Sequence, residues 1–275
     1  MEKILRNILM LLCACCLWIG DALAVESLRP VSAPRSWLEY TFSAELDEDV
    51  YSGLLSLQGE YAFCTRFSVY LDGSYRLLSY SYEYAMDGYI HNYANLHVSG
   101  LDETYVGFKS LIYGPFGLDV NWRLPPRDGS RKNRFQRMNL EPYGMFSITK
   151  RLDVGASIRY NAFLEDRNYK PGDELGVKAG VVWRPFDVQG EPPLWTFAGT
   201  ALFQTRLEES ENRNMKKAYR KMDDIYQGLK MKFSAMRYFD FMKVPFGVGL
   251  NYEIHQGTLF GFETGHCIGI TLRAN

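Results

Sequence analysis

The chain has 275 residues, a net charge of −1 and an aromatic content of 15%. A near-neutral balance gives no electrostatic footprint for nucleic acid, and 19 Tyr with 17 Phe favour strands over helices. The length suits one large β domain or two small ones.

Residues Met1 to Asn7 carry Lys3 and Arg6, Ile8 to Ile19 is an apolar run, and Ala22-Leu23-Ala24 is a small-residue cleavage signature. These three parts predict a secretory signal peptide over residues 1–24, because the run is far shorter than the roughly 20 residues a spanning helix needs. Cys13, Cys15 and Cys16 leave with it. Cys64 and Cys267 remain, and with no metal-ligand or redox spacing around them they read as free thiols. Residues 25–35, containing Pro30 and Pro34, form a polar lead.

From residue 36 onward the chain alternates. Leu38, Tyr40, Phe42 and Ala44 share one strand face, with Glu39, Thr41, Ser43 and Glu45 on the other. A second strand sets Leu55, Leu57 and Tyr61 against Ser56, Gln58 and Glu60; a third, after a turn at 63–66, sets Phe67, Val69 and Leu71 against Ser68, Tyr70 and Asp72. Residues 79–100, rich in Tyr and carrying His91 and His97, read as a long connection. Strands four (about 101–111) and five (about 116–124) flank the turn Tyr113-Gly114-Pro115. After the basic loop PPRDGSRKNRFQR, residues 137–162 read as one hairpin around a very short turn. In it Met138, Leu140, Val154 and Ile158 oppose Asn139, Glu141, Asp153 and Ser157, and Pro142 is awkward in a central ladder. Five further strands follow at about 174–184, 194–208, 226–238, 243–255 and 262–272, with a densely charged loop at 209–224.

Strict period-2 alternation makes one apolar and one polar face. Arms of about 11–13 residues match a tilted transmembrane strand, which needs about 9–11, better than a soluble one. The predicted fold is all-β: a closed, antiparallel, up-and-down transmembrane β-barrel of about 12 strands over residues 36–275. The links after strands two, four, six, eight and ten read as short, the others as longer and more polar, as in barrels with short periplasmic turns and long outer loops. A secreted sandwich or lipocalin-like barrel would turn the apolar face inward. The charged opposite face, and Trp122, Trp183 and Trp195 near strand ends on the apolar face, favour the membrane.

The last strand, Glu263-Thr264-Gly265-His266-Cys267-Ile268-Gly269-Ile270, resembles the C-terminal assembly signal of bacterial outer-membrane β-barrel proteins, although it continues to Asn275 instead of ending on an aromatic. The resemblance implies export across the inner membrane, insertion by the outer-membrane assembly machinery, and residence in the outer membrane of a Gram-negative-type bacterium. The lead 25–35 is then periplasmic.

On this fold the polar face lines the lumen. Its expected lining includes Arg76, Lys109, Asp119, Arg123, Arg137, Glu141, Asp153, Arg159, Lys178, Lys230, Lys232 and Glu253. Arg123, Arg137 and Arg159 fall on consecutive strands near the outer end, beneath a surface loop carrying Arg127, Arg131, Lys132 and Arg134. This arrangement fits a narrow porin-like channel for small hydrophilic solutes with anions favoured at the mouth, and a loop that meets lipopolysaccharide phosphates. Acids on the same strands leave a non-conducting structural or surface-interaction barrel open. A lipid hydrolase or acyltransferase would have to use His255 with Glu253 and Ser234 or Ser157, and no nucleophile motif accompanies them. The expectation is a non-enzyme with no cofactor, no metal and no nucleic-acid partner.

Overall fold

Alternation places apolar side chains on one face of almost every strand, and that face must find an apolar medium. In the computed structural model, twelve strands join edge to edge into one closed antiparallel barrel. They are β1 (Trp37–Leu46), β2 (Val50–Cys64), β3 (Phe67–Met86), β4 (Tyr89–Tyr113), β5 (Phe116–Leu124), β6 (Arg137–Thr149) and β7 (Leu152–Phe163). The circuit continues through β9 (Glu174–Trp183), β10 (Trp195–Arg206), β12 (Gln227–Phe241), β13 (Val244–Gln256) and β14 (Thr264–Ala274). Two short strands, β8 (Tyr169–Lys170) and β11 (Glu211–Asn212), pair with each other outside the barrel. The structure describes residues 32–46, 50–86, 89–124, 136–165, 169–170, 172–186, 194–207, 211–212, 227–241, 244–256 and 264–274. The predicted signal peptide and most of the lead lie outside these residues.

Successive strands are neighbours throughout, and β1 closes on β14 from Leu38↔Ala274 to Leu46↔His266. The outward face is apolar: Phe42, Leu71, Phe108, Ile158, Val177, Phe203, Phe233, Leu250 and Ile270 are all exposed there. The inward face is polar and mostly buried, from Glu39, Gln58 and Asp72 round to Asn251 and Thr271. A soluble barrel would have the opposite polarity, so this one is built to sit in lipid.

Three details differ from the sequence reading. Residues 79–100 are not a connection but the upper part of the β3–β4 hairpin, whose strands run 20 and 25 residues. Tyr80 is the last β3 residue paired to β2, and Thr104 the first β4 residue paired to β5. The hairpin therefore stands above the barrel wall, held by its own ladder. Second, the link between β9 and β10 occupies residues 184–194 and is no tight turn. Third, Pro142 is accommodated by a gap: it sits opposite Leu118 of β5, while pairing with β7 passes from Leu140↔Tyr160 to Tyr143↔Ser157. Lacking an N–H, it interrupts the ladder on one side only.

Candidate functional site: the lumen wall

The inward side chains fall into two regions of different character. Along β2 to β7 the wall is packed and charged. Because register puts like beside like, β5 and β6 face each other as Arg123↔Arg137, Asn121↔Asn139 and Asp119↔Glu141. Directly opposed like charges repel, so each acid is tied to a partner further round the barrel. Asp119 accepts from Tyr70 Oη at 2.5 Å. Glu141 pairs with Lys178 of β9 and lies 4.0 Å from Arg159, while Ser157 donates to it at 2.7 Å. Glu60 receives Lys109 at 3.1 Å, Ser68 at 2.6 Å and the Trp37 indole N–H at 3.1 Å. Glu174 gathers Asn161 and Gln204, with Arg137 at 3.8 Å, and the Arg137 guanidinium also donates to Tyr105 Oη at 2.7 Å. Glycine makes this density possible: the Tyr70 ring occupies the space a side chain at Gly107 would need.

Further round, the packing continues in the outer half of β9 to β13. Lys230 pairs with Glu253 at 2.7 Å, and Leu202 (0% exposed) and His255 (1% exposed) lie beside it. His255 fills the space over Gly265.

The periplasmic half of β7, β9, β10 and β12 is different. Its inward positions are Asp153 and Gly155, Gly180 and Val182, Thr196 and Ala198, and Lys232 and Ser234. All are partly exposed, whereas the described inward positions of β5 are all buried. They fall in two rows: Gly155↔Gly180, Gly180↔Thr200 and Thr200↔Lys232 in one, interrupted by the buried Thr200, and Asp153↔Val182, Val182↔Ala198 and Ala198↔Ser234, unbroken, in the next. Small side chains at Gly155, Gly180 and Ala198 leave a water-reached strip in the periplasmic half of the lumen on this side. Asp153 is held there by Arg184 at 2.6 Å and by Ser147 at 2.7 Å. Lys232 makes no ion pair or hydrogen bond among the described residues, because the Glu253 beside it is taken by Lys230.

At the other end of the same strands, Asp173 ties three elements together. It accepts from Tyr160 Oη at 2.5 Å and from the Phe163 N–H at 3.1 Å, and Lys170 lies 3.2 Å away. Its carbonyl accepts from the Leu207 N–H at 2.8 Å. Burial opposes its charge, but the Tyr160, Phe163 and Lys170 contacts outweigh it and hold the carboxyl below the usual range.

Of the residues expected to line the lumen, Lys109, Asp119, Arg123, Arg137, Glu141, Arg159, Lys178, Lys230 and Glu253 are inward and buried, and Asp153 and Lys232 are inward on the strip. The Arg76 side chain, the loop residues Arg127, Arg131, Lys132 and Arg134, and the His91 and His97 side chains lie outside what is described. The catalytic alternative is not assembled: Ser157 serves Glu141, and Ser234 faces Asn251, two inward rows from His255. Neither Cys64, which is exposed, nor Cys267, which is buried, is in a disulfide. Sequence reading missed the strip itself, although its run of Gly155, Gly180 and Ala198 was there to see.

No protein-family model matches the chain, and no curated protein matches it in sequence. Solved structures do match in shape. An outer-membrane channel from Pseudomonas putida F1 superimposes with TM-score 0.57 at 10% identity, over 91% of this chain and 99% of that one. The NanC porin gives 0.53 at 10% identity over 86% and 99%. The translocator domain of the autotransporter NalP from Neisseria meningitidis gives 0.51 at 10% identity over 87% of each. The chain folds as an outer-membrane β-barrel. The start of β1, the end of β14 and five of the strand links share one end of the barrel, the end that faces the periplasm in outer-membrane barrels.

Proposed function

We propose that this barrel is an outer-membrane channel for small hydrophilic solutes, with a preference for anions set at Lys232. The reading rests on the strip: in a lumen otherwise packed with paired charges, water reaches a run of inward positions in the periplasmic half, from Asp153 through Val182 and Ala198 to Ser234. Two structures of similar fold are a porin and an outer-membrane channel, which agrees with it. In a confined, low-dielectric passage even one unneutralised cation biases which ions enter. Arg137 and Arg159 are poorer candidates for that role, since Glu174 and Glu141 stand beside them.

Purified protein in planar bilayers should conduct, and its reversal potential under a salt gradient should favour anions. Lys232→Glu should move that potential toward cations while conductance stays within about twofold. Absence of conductance from well-folded, heat-modifiable protein overturns the channel and leaves a structural barrel.

A further inference from the structure

Arg237 points outward. On β12 the even positions Lys230, Lys232 and Ser234 face the lumen, so Arg237 lies on the lipid face with Phe233, Ala235 and Phe239. Among the barrel-strand residues whose side chains are described it is the single Asp, Glu, Lys or Arg on that face. It makes no ion pair among the described residues: Trp195 is directly opposite on β10 and Val248 on β13. Instead the guanidinium lies over two rings, 5.8 Å from the Trp195 centroid and 5.1 Å from that of Phe239. Trp195 is itself stacked on Phe197 at 5.9 Å, and Phe197 touches Trp183 at 5.6 Å. Trp195 opens β10 and Trp183 ends β9, so this aromatic run marks the periplasmic rim.

We propose that Arg237 is a binding site for the phosphate of a phospholipid headgroup in the periplasmic leaflet. A guanidinium stays charged, and a charge facing lipid is tolerated only where a long side chain carries it to the interface. Contact with the Trp195 and Phe239 rings leaves the guanidinium N–H groups, which have no hydrogen-bond partner among the described residues, available to take a phosphate in bidentate fashion. The rings also hold the side chain in one direction, which reduces the entropy lost when a phosphate arrives. The position selects the partner: at this end the headgroups are phospholipid, whereas lipopolysaccharide occupies the opposite leaflet. This site is independent of whether the lumen conducts.

The test is native mass spectrometry of the full-length exported protein released from mild detergent, with phosphatidylglycerol, diacylglycerol and inorganic phosphate as probes. The wild type should retain phosphatidylglycerol at least fivefold better than diacylglycerol, and millimolar inorganic phosphate should not displace it. Arg237→Ala should lose that preference while remaining heat-modifiable, and Arg237→Lys should keep part of it. Equal retention of the two lipids by the wild type overturns the proposal whatever the variants do. So does unchanged preference in Arg237→Ala, and so does displacement by inorganic phosphate, which would make the site one for a free anion.

Discussion

The wall from β2 to β7 and the strip on β7, β9, β10 and β12 are built from the same alternation yet behave as opposites. One carries long charged side chains that reach across two or three strands to find partners, as Glu141 does with Lys178. The other is built round Gly155, Gly180, Ala198 and Ser234, which are too short to reach across and so leave room beside Asp153 and Lys232. Polarity of the inward face therefore says little about whether a barrel is open. The sizes of side chains at matched register positions decide it, because a filled lumen needs long residues facing one another round the whole circuit.

The sharpest way to break this contrast is in the packed wall. Glu141→Ala leaves Lys178 and Arg159 without their carboxylate and should cost about 3–5 kcal/mol, as removal of one partner from a buried ion cluster does. Equilibrium urea unfolding in lipid vesicles measures it, and a loss under about 1 kcal/mol would mean the wall is hydrated instead. Next comes an arginine scan. Ile158→Arg on the lipid face should cost about 2–4 kcal/mol and block assembly in a heat-modifiability gel. Ser234→Arg, on the strip, should assemble. Ser157→Arg, which alternation alone places in a hydrated lumen, should fail as well, since Ser157 is buried against Glu141.

Filling the strip sharpens the contrast from the other side. Ala198→Trp should leave folding intact and lower single-channel conductance by more than half; unchanged conductance would move the solute path elsewhere. The smallest effect is at the outer end. Asp173 has a depressed pKa, so the stability it gives is complete above its unfolded value near 4 and lost as pH falls through the lower folded value. Hydrogen exchange at the Phe163 amide, corrected for intrinsic rate, should quicken by less than tenfold in that acid window. Asp173→Asn should remove the dependence.

Most of the barrel was legible because alternation needs no partner: the faces of β1, β5, β7, β9 and β13 follow from the order of their own residues. The β3–β4 hairpin was not, because its alternation is carried by Tyr80, Tyr82 and Tyr84 in one arm and by Ile90, Ala94, Leu96 and Val98 in the other, and Tyr suits a polar loop as readily as a strand face. Its overlooked signal was Asp87-Gly88, a dipeptide favoured in two-residue hairpin turns. The lumen was read only as a roster of charges. Which of them neutralise one another depends on register, and register is a property of strand pairs that no single strand reveals. Lys232 looked equivalent to Lys230 two residues earlier; Glu253 distinguishes them by pairing with one.

The seam between β1 and β14 has a consequence for how the molecule comes to exist. Thr41 and Thr271 share a hydrogen bond across it, 230 residues apart in the chain. On a logarithmic loop law, bringing such distant ends together costs about 3 kcal/mol more than closing a ten-residue hairpin. The β6–β7 and β12–β13 ladders, whose ends are a few residues apart, can zip locally, while the seam has to wait for every other pair. Until that moment two strand edges with unpaired amides stand open to any strand nearby. Closure is thus the committing step of biogenesis, and mutations along β1 or β14 should surface as kinetic defects, as accumulated unclosed chains, before they register in the stability of the finished barrel.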